Sequence, residues 1–112
     1  MAHLHISPEA QSDLLDIKKY IASDLENPTA ALNVVSKITK SIRMLEAFPE
    51  MGTPLSAIID IPTDYRFLVS GNYLVFYRCE DDAVYVLRAL YSKRDYMQIL
   101  FGEFSEHESE QE

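Results

Sequence analysis

The 112-residue chain has one cysteine, three glycines and three histidines, and each scarcity closes off a class of protein. With Cys79 alone no internal disulfide can form, and its place in an apolar strand pattern is that of a buried thiol in a reducing compartment. A glycine-rich phosphate loop, a Cys/His metal set and a Gly-x-Ser-x-Gly turn are all missing, which leaves no motif support for cofactor or metal chemistry. No apolar run approaches the roughly 20 residues that cross a bilayer, and no signal-peptide pattern opens the chain, so no membrane partner and a cytoplasmic location are expected. An excess of basic residues is missing too. Five of the 18 acidic side chains fall in the last ten residues, so 13 remain against 10 basic ones, a net charge of about −3 for the body. Such a surface lacks the strong positive field that general nucleic-acid affinity requires. The expected organisation is a single domain over residues 1–102 and an acidic, disordered tail over residues 103–112.

What is present is periodicity. His3 to Ile6 alternates like a short strand and ends at Ser7-Pro8, which with Glu9 makes a helix start: an N-cap, a proline at the first position and an early carboxylate. Ala10, Leu14, Ile17 and Ile21 then recur at helical spacing, with Asp13, Asp16, Lys18 and Lys19 read as lying off that stripe. Asn27-Pro28 repeats the start signal, and Ala31, Val35, Ile38, Ile42 and Leu45 form a second stripe closed by Pro49. The two stripes predict an antiparallel helical hairpin.

Residues 50 to 63 have no sustained period and read as a connecting loop. From Tyr65 the period shortens to two. Three β-rich runs, 65–69, 73–79 and 83–91, are joined by Ser70-Gly71-Asn72 and Glu80-Asp81-Asp82, which predicts an antiparallel meander. Ser92-x-x-Asp95 resembles a capping box, with Gly102 as the stop of a short last helix that turns Tyr96, Ile99 and Leu100 inward. The predicted fold class is α+β: an N-terminal strand and a two-helix hairpin packed on an antiparallel meander, with a short C-terminal helix.

The polar residues that could carry function are arginines and tyrosines. Arg66 should share a strand face with Leu68, while Tyr65, Phe67 and Val69 take the other. Arg78 and Arg88 alternate with apolar neighbours, and Arg94 sits at the start of the last helix, where a cation is mildly disfavoured by the helix dipole and suits an anion or a partner carboxylate. His3 and His5 share one side of the opening strand, and no carboxylate pair stands out as an acid/base couple. Arg and Tyr are also the residues that anchor protein interfaces, so their abundance fits binding at least as well as chemistry.

The runs Tyr65-Arg66-Phe67-Leu68-Val69, Gly71 to Arg78 and Val84 to Tyr96, in that order after a Ser-Pro-Glu-Ala helix start and the stretch Phe48-Pro49-x-x-Gly52, resemble the RelE/ParE superfamily of toxins from type II toxin–antitoxin systems, the plasmid-stabilisation proteins. The resemblance spans residues 3 to about 101. It implies a cognate antitoxin as partner, a homodimer or a toxin–antitoxin hetero-oligomer, no cofactor or metal, and one of two activities. RelE-like members cleave messenger RNA on the ribosome, using Lys and Arg at the phosphate and a Tyr or His as proton carrier; ParE-like members bind DNA gyrase. For the nuclease, the resemblance would make Arg66 and Arg94 phosphate ligands and Tyr96 or Tyr73 the proton carrier. For partner binding it points to Arg66, Arg88, Lys93, Arg94 and Tyr91. The RelE pattern places an Arg after the Tyr of the central strand, where this chain has Leu74, and its C-terminal Tyr falls near Leu100. The resemblance therefore favours a ParE-like toxin that inhibits growth by binding an essential target such as gyrase. The alternatives are a RelE-like endonuclease, or a degenerate toxin kept for antitoxin binding and operon autoregulation.

Overall fold

In the computed structural model, which describes residues 2–102, the first strand, β1 (His3–Ile6), lies parallel to the last, β5 (Ala83–Tyr91), in a register running from His3 opposite Ala83 to Ile6 opposite Val86. The meander prediction is thereby extended. The strands β3 (Arg66–Ser70), β4 (Tyr73–Glu80) and β5 are antiparallel as expected, but β1 joins the β5 edge in parallel. A two-residue strand, β2 (Thr53–Pro54), joins the β3 edge from within the predicted loop, making a five-stranded mixed sheet in the order β1-β5-β4-β3-β2. Parallel pairing needs a long crossover, and the helices between β1 and β5 belong to it. A four-residue run could not reveal which neighbour it would choose.

Helix α1 (Pro8–Lys19) starts as its sequence predicts: the Ser7 hydroxyl accepts from Ala10 N at 3.0 Å, with Pro8 at the first position. Its end continues as a wider π turn over Tyr20–Asp24, and Glu26 takes a positive φ of 51° before α2 begins. Helix α2 (Pro28–Met44) is capped by the Asn27 side chain on Ala30 N at 3.0 Å. The two stripes meet the sheet, where Ala10, Ile17, Ile21, Ala31, Ile38, Ile42 and Leu45 bury against Leu68, Val75, Tyr77, Val84, Val86 and Ala89. Full burial of such apolar side chains contributes about 1.5–3 kcal/mol each.

The other sheet face is also covered. Leu55, in a 3-10 turn (Leu55–Ala57) after β2, packs with Phe76 and Leu90 beneath Tyr96, Ile99, Leu100 and Phe101. Those last four belong to a helix over residues 96–102, α3. With both faces covered, consecutive strand residues are buried together, as Val75, Phe76 and Tyr77 are. The cap of α3 differs from prediction. Asp95 Oδ1 accepts from Gln98 N at 3.1 Å, so Asp95 is the N-cap, and Ser92 and Arg94 sit in the preceding turn. Arg94 is therefore outside the helix, where the dipole argument does not reach it. The acidic tail lies outside the described residues, and no helix among the described residues is long and apolar enough to cross a membrane.

The loop before β3 is held by three hydrogen bonds from two side chains. The Tyr77 hydroxyl donates to Pro49 O at 2.8 Å and accepts from Gly52 N at 2.9 Å, while Arg66 Nη1 donates to Gly52 O at 2.7 Å. A Cβ on Gly52 would stand 2.6 Å from that hydroxyl and 2.8 Å from Phe67 O, which is the physical reason for a glycine in the Phe48-Pro49-x-x-Gly52 stretch.

Candidate functional site

β1 stops at Ile6, so beyond Val86 the edge of β5 that faces away from β4 has no strand beside it. The pairing of β4 with β5 also slips there: Phe76 faces Arg88 but Tyr77 faces Val86, which leaves Leu87 as the extra residue of a bulge. Two side chains of the α1 start and first turns close this open edge. The Ser7 hydroxyl donates to Leu87 O at 2.8 Å, and Asp13 Oδ2 accepts from Ala89 N at 3.0 Å. The same carboxylate takes two bonds from Arg88, Nε to Oδ2 and Nη2 to Oδ1, both at 2.8 Å. That carboxylate holds the Arg88 guanidinium above the ordinary arginine range, against a smaller opposing effect of burial. Asp13 is 7% exposed, so the expectation that it lies off the buried stripe is overturned. Its position three residues after Ala10 puts it on the edge of that stripe, and the partner that makes burial tolerable is 75 residues away in sequence.

Past this lock, the divergence of α1 from the end of the sheet opens a groove of about 700 Å³. Ile17, Ile21, Ala30 and Val34 form its helical wall and Tyr73, Ala89 and Leu90 its sheet wall, while Asp16, Asn72 and Arg94 stand among its lining residues. Three large side chains at the groove stay open to solvent: Tyr20 at 52%, Leu25 at 56% and Tyr91 at 40% exposure. Tyr73 and Tyr91 meet edge to face with centroids 5.9 Å apart. Burial, followed by the neighbouring Tyr91 and Tyr20 phenols, pushes the Tyr73 hydroxyl up from its ordinary value, so at neutral pH it is a hydrogen-bonding group and no base. The π turn places Tyr20 and Leu25 at the groove, and neither falls on the stripe that periodicity identified. A sequence signal existed only in their size: large apolar groups that the helical pattern did not absorb.

The sequence-nominated residues separate into four places. Tyr91 and Arg94 line this groove, with Lys93 exposed beside Arg94. Arg88 is committed to Asp13. Arg66 lies at the other end of the sheet, opposite Tyr77 where Ser70 is opposite Tyr73, a separation of four residues or about 13 Å. There it holds the loop, 3.6 Å from the Glu50 carboxylate, and lines a smaller cavity of about 400 Å³ with Asp64, Tyr65 and Cys79. The Cys79 thiol lies 3.4 Å from Pro49 O, and burial pushes it up from the ordinary cysteine range, which leaves it a weak nucleophile. Tyr96 is on the opposite sheet face from Tyr73, its ring 5.3 Å from that of Phe76. Leu74 shares that apolar face with Tyr96. The four residues nominated for a nuclease thus stand at two ends and on two faces of the sheet. The histidines of β1 make no cluster with other ligands: His5 stacks on Tyr85 at 5.0 Å, and no group of three His, Cys, Asp or Glu side chains gathers among the described residues.

What the site can do is bind: an apolar floor, three tyrosines and one rim cation suit a peptide segment better than a reaction. Comparison with known proteins agrees with the fold. No curated protein matches the chain significantly. Among solved structures, a chain of the chromosomal ParDE toxin–antitoxin system from P. aeruginosa is similar with a TM-score of 0.69 and 23% identity, covering 83% of this chain and 98% of that one. The family model for the ParE toxin of the type II toxin–antitoxin system parDE matches residues 4–96. Residues 4–96 include β1 but for His3, both helices of the hairpin, all of the meander and the turn to α3, and on that match the chain belongs to the ParE toxin family.

Proposed function

We propose that the protein is a growth-inhibiting toxin that acts by binding an essential target such as DNA gyrase, and that a cognate antitoxin neutralises it by laying an apolar segment into the groove between α1 and the ends of β4 and β5. The observation that carries this reading is the dispersal of the nuclease candidates. Phosphate-cleaving catalysis needs its cations and proton carrier converged within a few ångströms on one substrate, whereas Arg66 and Tyr73 stand about 13 Å apart along the sheet and Tyr96 packs on the other face. The open tyrosines and Leu25 supply what an interface anchor needs: large, rigid area at low entropy cost. On this reading Tyr91, Lys93 and Arg94 are partner-binding residues, while Arg66 and Arg88 hold the fold.

Two experiments separate the readings. Expression of the toxin followed by primer extension should show intact messenger RNAs together with an induced DNA-damage response. Discrete cuts that vanish in Arg94→Ala would reinstate the endonuclease. Co-purification with the product of the adjacent reading frame should give a complex that Tyr20→Ala/Tyr91→Ala weakens by about 30-fold or more, the scale of a lost interface hot spot. A complex indifferent to both substitutions would place the antitoxin elsewhere.

A further inference from the structure

At the far end of the helical hairpin from the groove, the sign of the surface inverts. From Asn27 to Leu45 the chain carries Lys37, Lys40 and Arg43 and no Asp or Glu, in a protein with a net charge of −8. Ile38 and Ile42 point into the core, and the spacing of 3, 4 and 4 residues sets Lys37, Lys40, Met44 and Phe48 in one row on the opposite side. The row keeps its helical period past the end of α2, because Phe48 N donates to Met44 O at 2.9 Å. Met51 follows through a bond from its N to Phe48 O at 3.2 Å. Met44 is 51% exposed, Phe48 60% and Met51 39%, so three large apolar side chains within eight residues face water beside three cations.

Those cations are unpaired among the described residues, whereas Arg66, Arg78 and Arg88 of the sheet each hold a carboxylate. Of the two nearest acids in sequence, Glu50 lies 3.6 Å from Arg66, and Glu46 takes part in none of the ion pairs among the described residues. About 20 Å of helix, at 1.5 Å per residue, separates Met44 from Ala30 at the groove wall, so the two surfaces are distinct.

We propose that the C-terminal end of α2 and the turn after it are a docking surface for an acidic amphipathic segment of a partner protein. The charge pattern selects the occupant. A carboxylate-bearing segment with apolar residues at i, i+3 and i+4 satisfies Lys37, Lys40 and Arg43 and covers Met44, Phe48 and Met51 together. A nucleic acid would meet only three cations and would be repelled by the acidic remainder.

The test uses the full chain, isotope-labelled, and three probes: a 16-residue helical peptide of Glu and Leu at that spacing, the same peptide with Lys for Glu, and a 12-nucleotide single strand. Binding of the Glu/Leu peptide should perturb amides of residues 37–51 and weaken as salt shortens the Debye length. Lys37→Glu/Lys40→Glu should lower the affinity about tenfold and Phe48→Ser by a similar factor, with Tm unchanged because all three side chains are exposed. Perturbations centred on Tyr20 and Tyr91, tighter binding of the oligonucleotide, or an affinity indifferent to the charge reversal would each overturn the proposal. A variant with Glu103, Glu106, Glu108, Glu110 and Glu112 all changed to Gln serves as a further arm. A tenfold gain in peptide affinity there would assign the surface to the chain's own tail and overturn the partner reading; unchanged affinity supports it.

Discussion

Substituting Asp13 by alanine removes the acceptor of three hydrogen bonds at once: two from Arg88 at 2.8 Å and one from Ala89 N at 3.0 Å. Breaking a buried ion pair by removing one partner costs about 3–5 kcal/mol, because the remaining charge is left uncompensated. Two features pull in opposite directions here. The Arg88 side chain is 26% exposed, so water can take over part of its solvation. Ala89 is only 2% exposed, so its N–H loses its partner where water reaches it poorly, a loss of about 1–3 kcal/mol by itself. The net expectation is about 3 kcal/mol, a large share of the roughly 5–15 kcal/mol that holds a domain of this size. Equilibrium urea unfolding reads it directly, as a fall of about 2 M in the midpoint for a slope of about 1.5 kcal/mol/M. The reasoning makes a second demand. In Asp13→Leu/Arg88→Met the unpaired charge is gone and apolar volume replaces it, so stability should recover to within about 1–2 kcal/mol of the parent. A single variant that loses less than about 1 kcal/mol, or a double variant no better than the single, would refute the view that this carboxylate closes the β5 edge.

The other predictions concern the loop, the helix start and alkaline pH. Gly52→Ala should destabilise by about 1–3 kcal/mol through overpacking, since its Cβ would meet the Tyr77 hydroxyl at 2.6 Å, and Tyr77→Phe in the same chain should recover part of that loss by calorimetry. Burial is the main cause that pushes the Tyr77 hydroxyl above its ordinary range, so folding favours the protonated phenol. Its stabilising contribution is then fully present below about pH 10 and is lost as pH rises through the folded value. Tyr77→Phe should be less stable at neutral pH but fall off less steeply above pH 10, and an identical alkaline slope in both proteins would contradict the assignment. Ser7→Ala should cost about 1–2 kcal/mol, because one hydroxyl both caps α1 and satisfies Leu87 O. A drop of only a few tenths would show that water replaces it.

Much of this architecture was legible in the linear pattern because its causes are local. Ser7-Pro8 and Asn27-Pro28 start helices where they stand, as caps act over three residues. The two apolar stripes and the alternation of Leu68 with Phe67 needed only the 3.6 and 2.0 periods, and both assign each side chain to the face it occupies. Ordered short runs carried the family resemblance, which the match over residues 4–96 bears out. What escaped was pairing between distant parts. Asp13 reads as a surface carboxylate until Arg88 and Ala89 arrive beside it. β1 has the composition of a strand but no mark of its parallel partner, and β2 is two residues long, one of them proline. Tyr96 reads correctly as inward, yet only the sheet decides that inward for it and inward for Tyr73 are opposite sides. Spacing along a chain fixes which face of its own element a residue takes. Which faces then meet, and hence that Tyr20, Tyr91 and Arg94 share a groove while Arg66 stands apart, depends on contacts between residues tens of positions apart, and tertiary structure alone determines those.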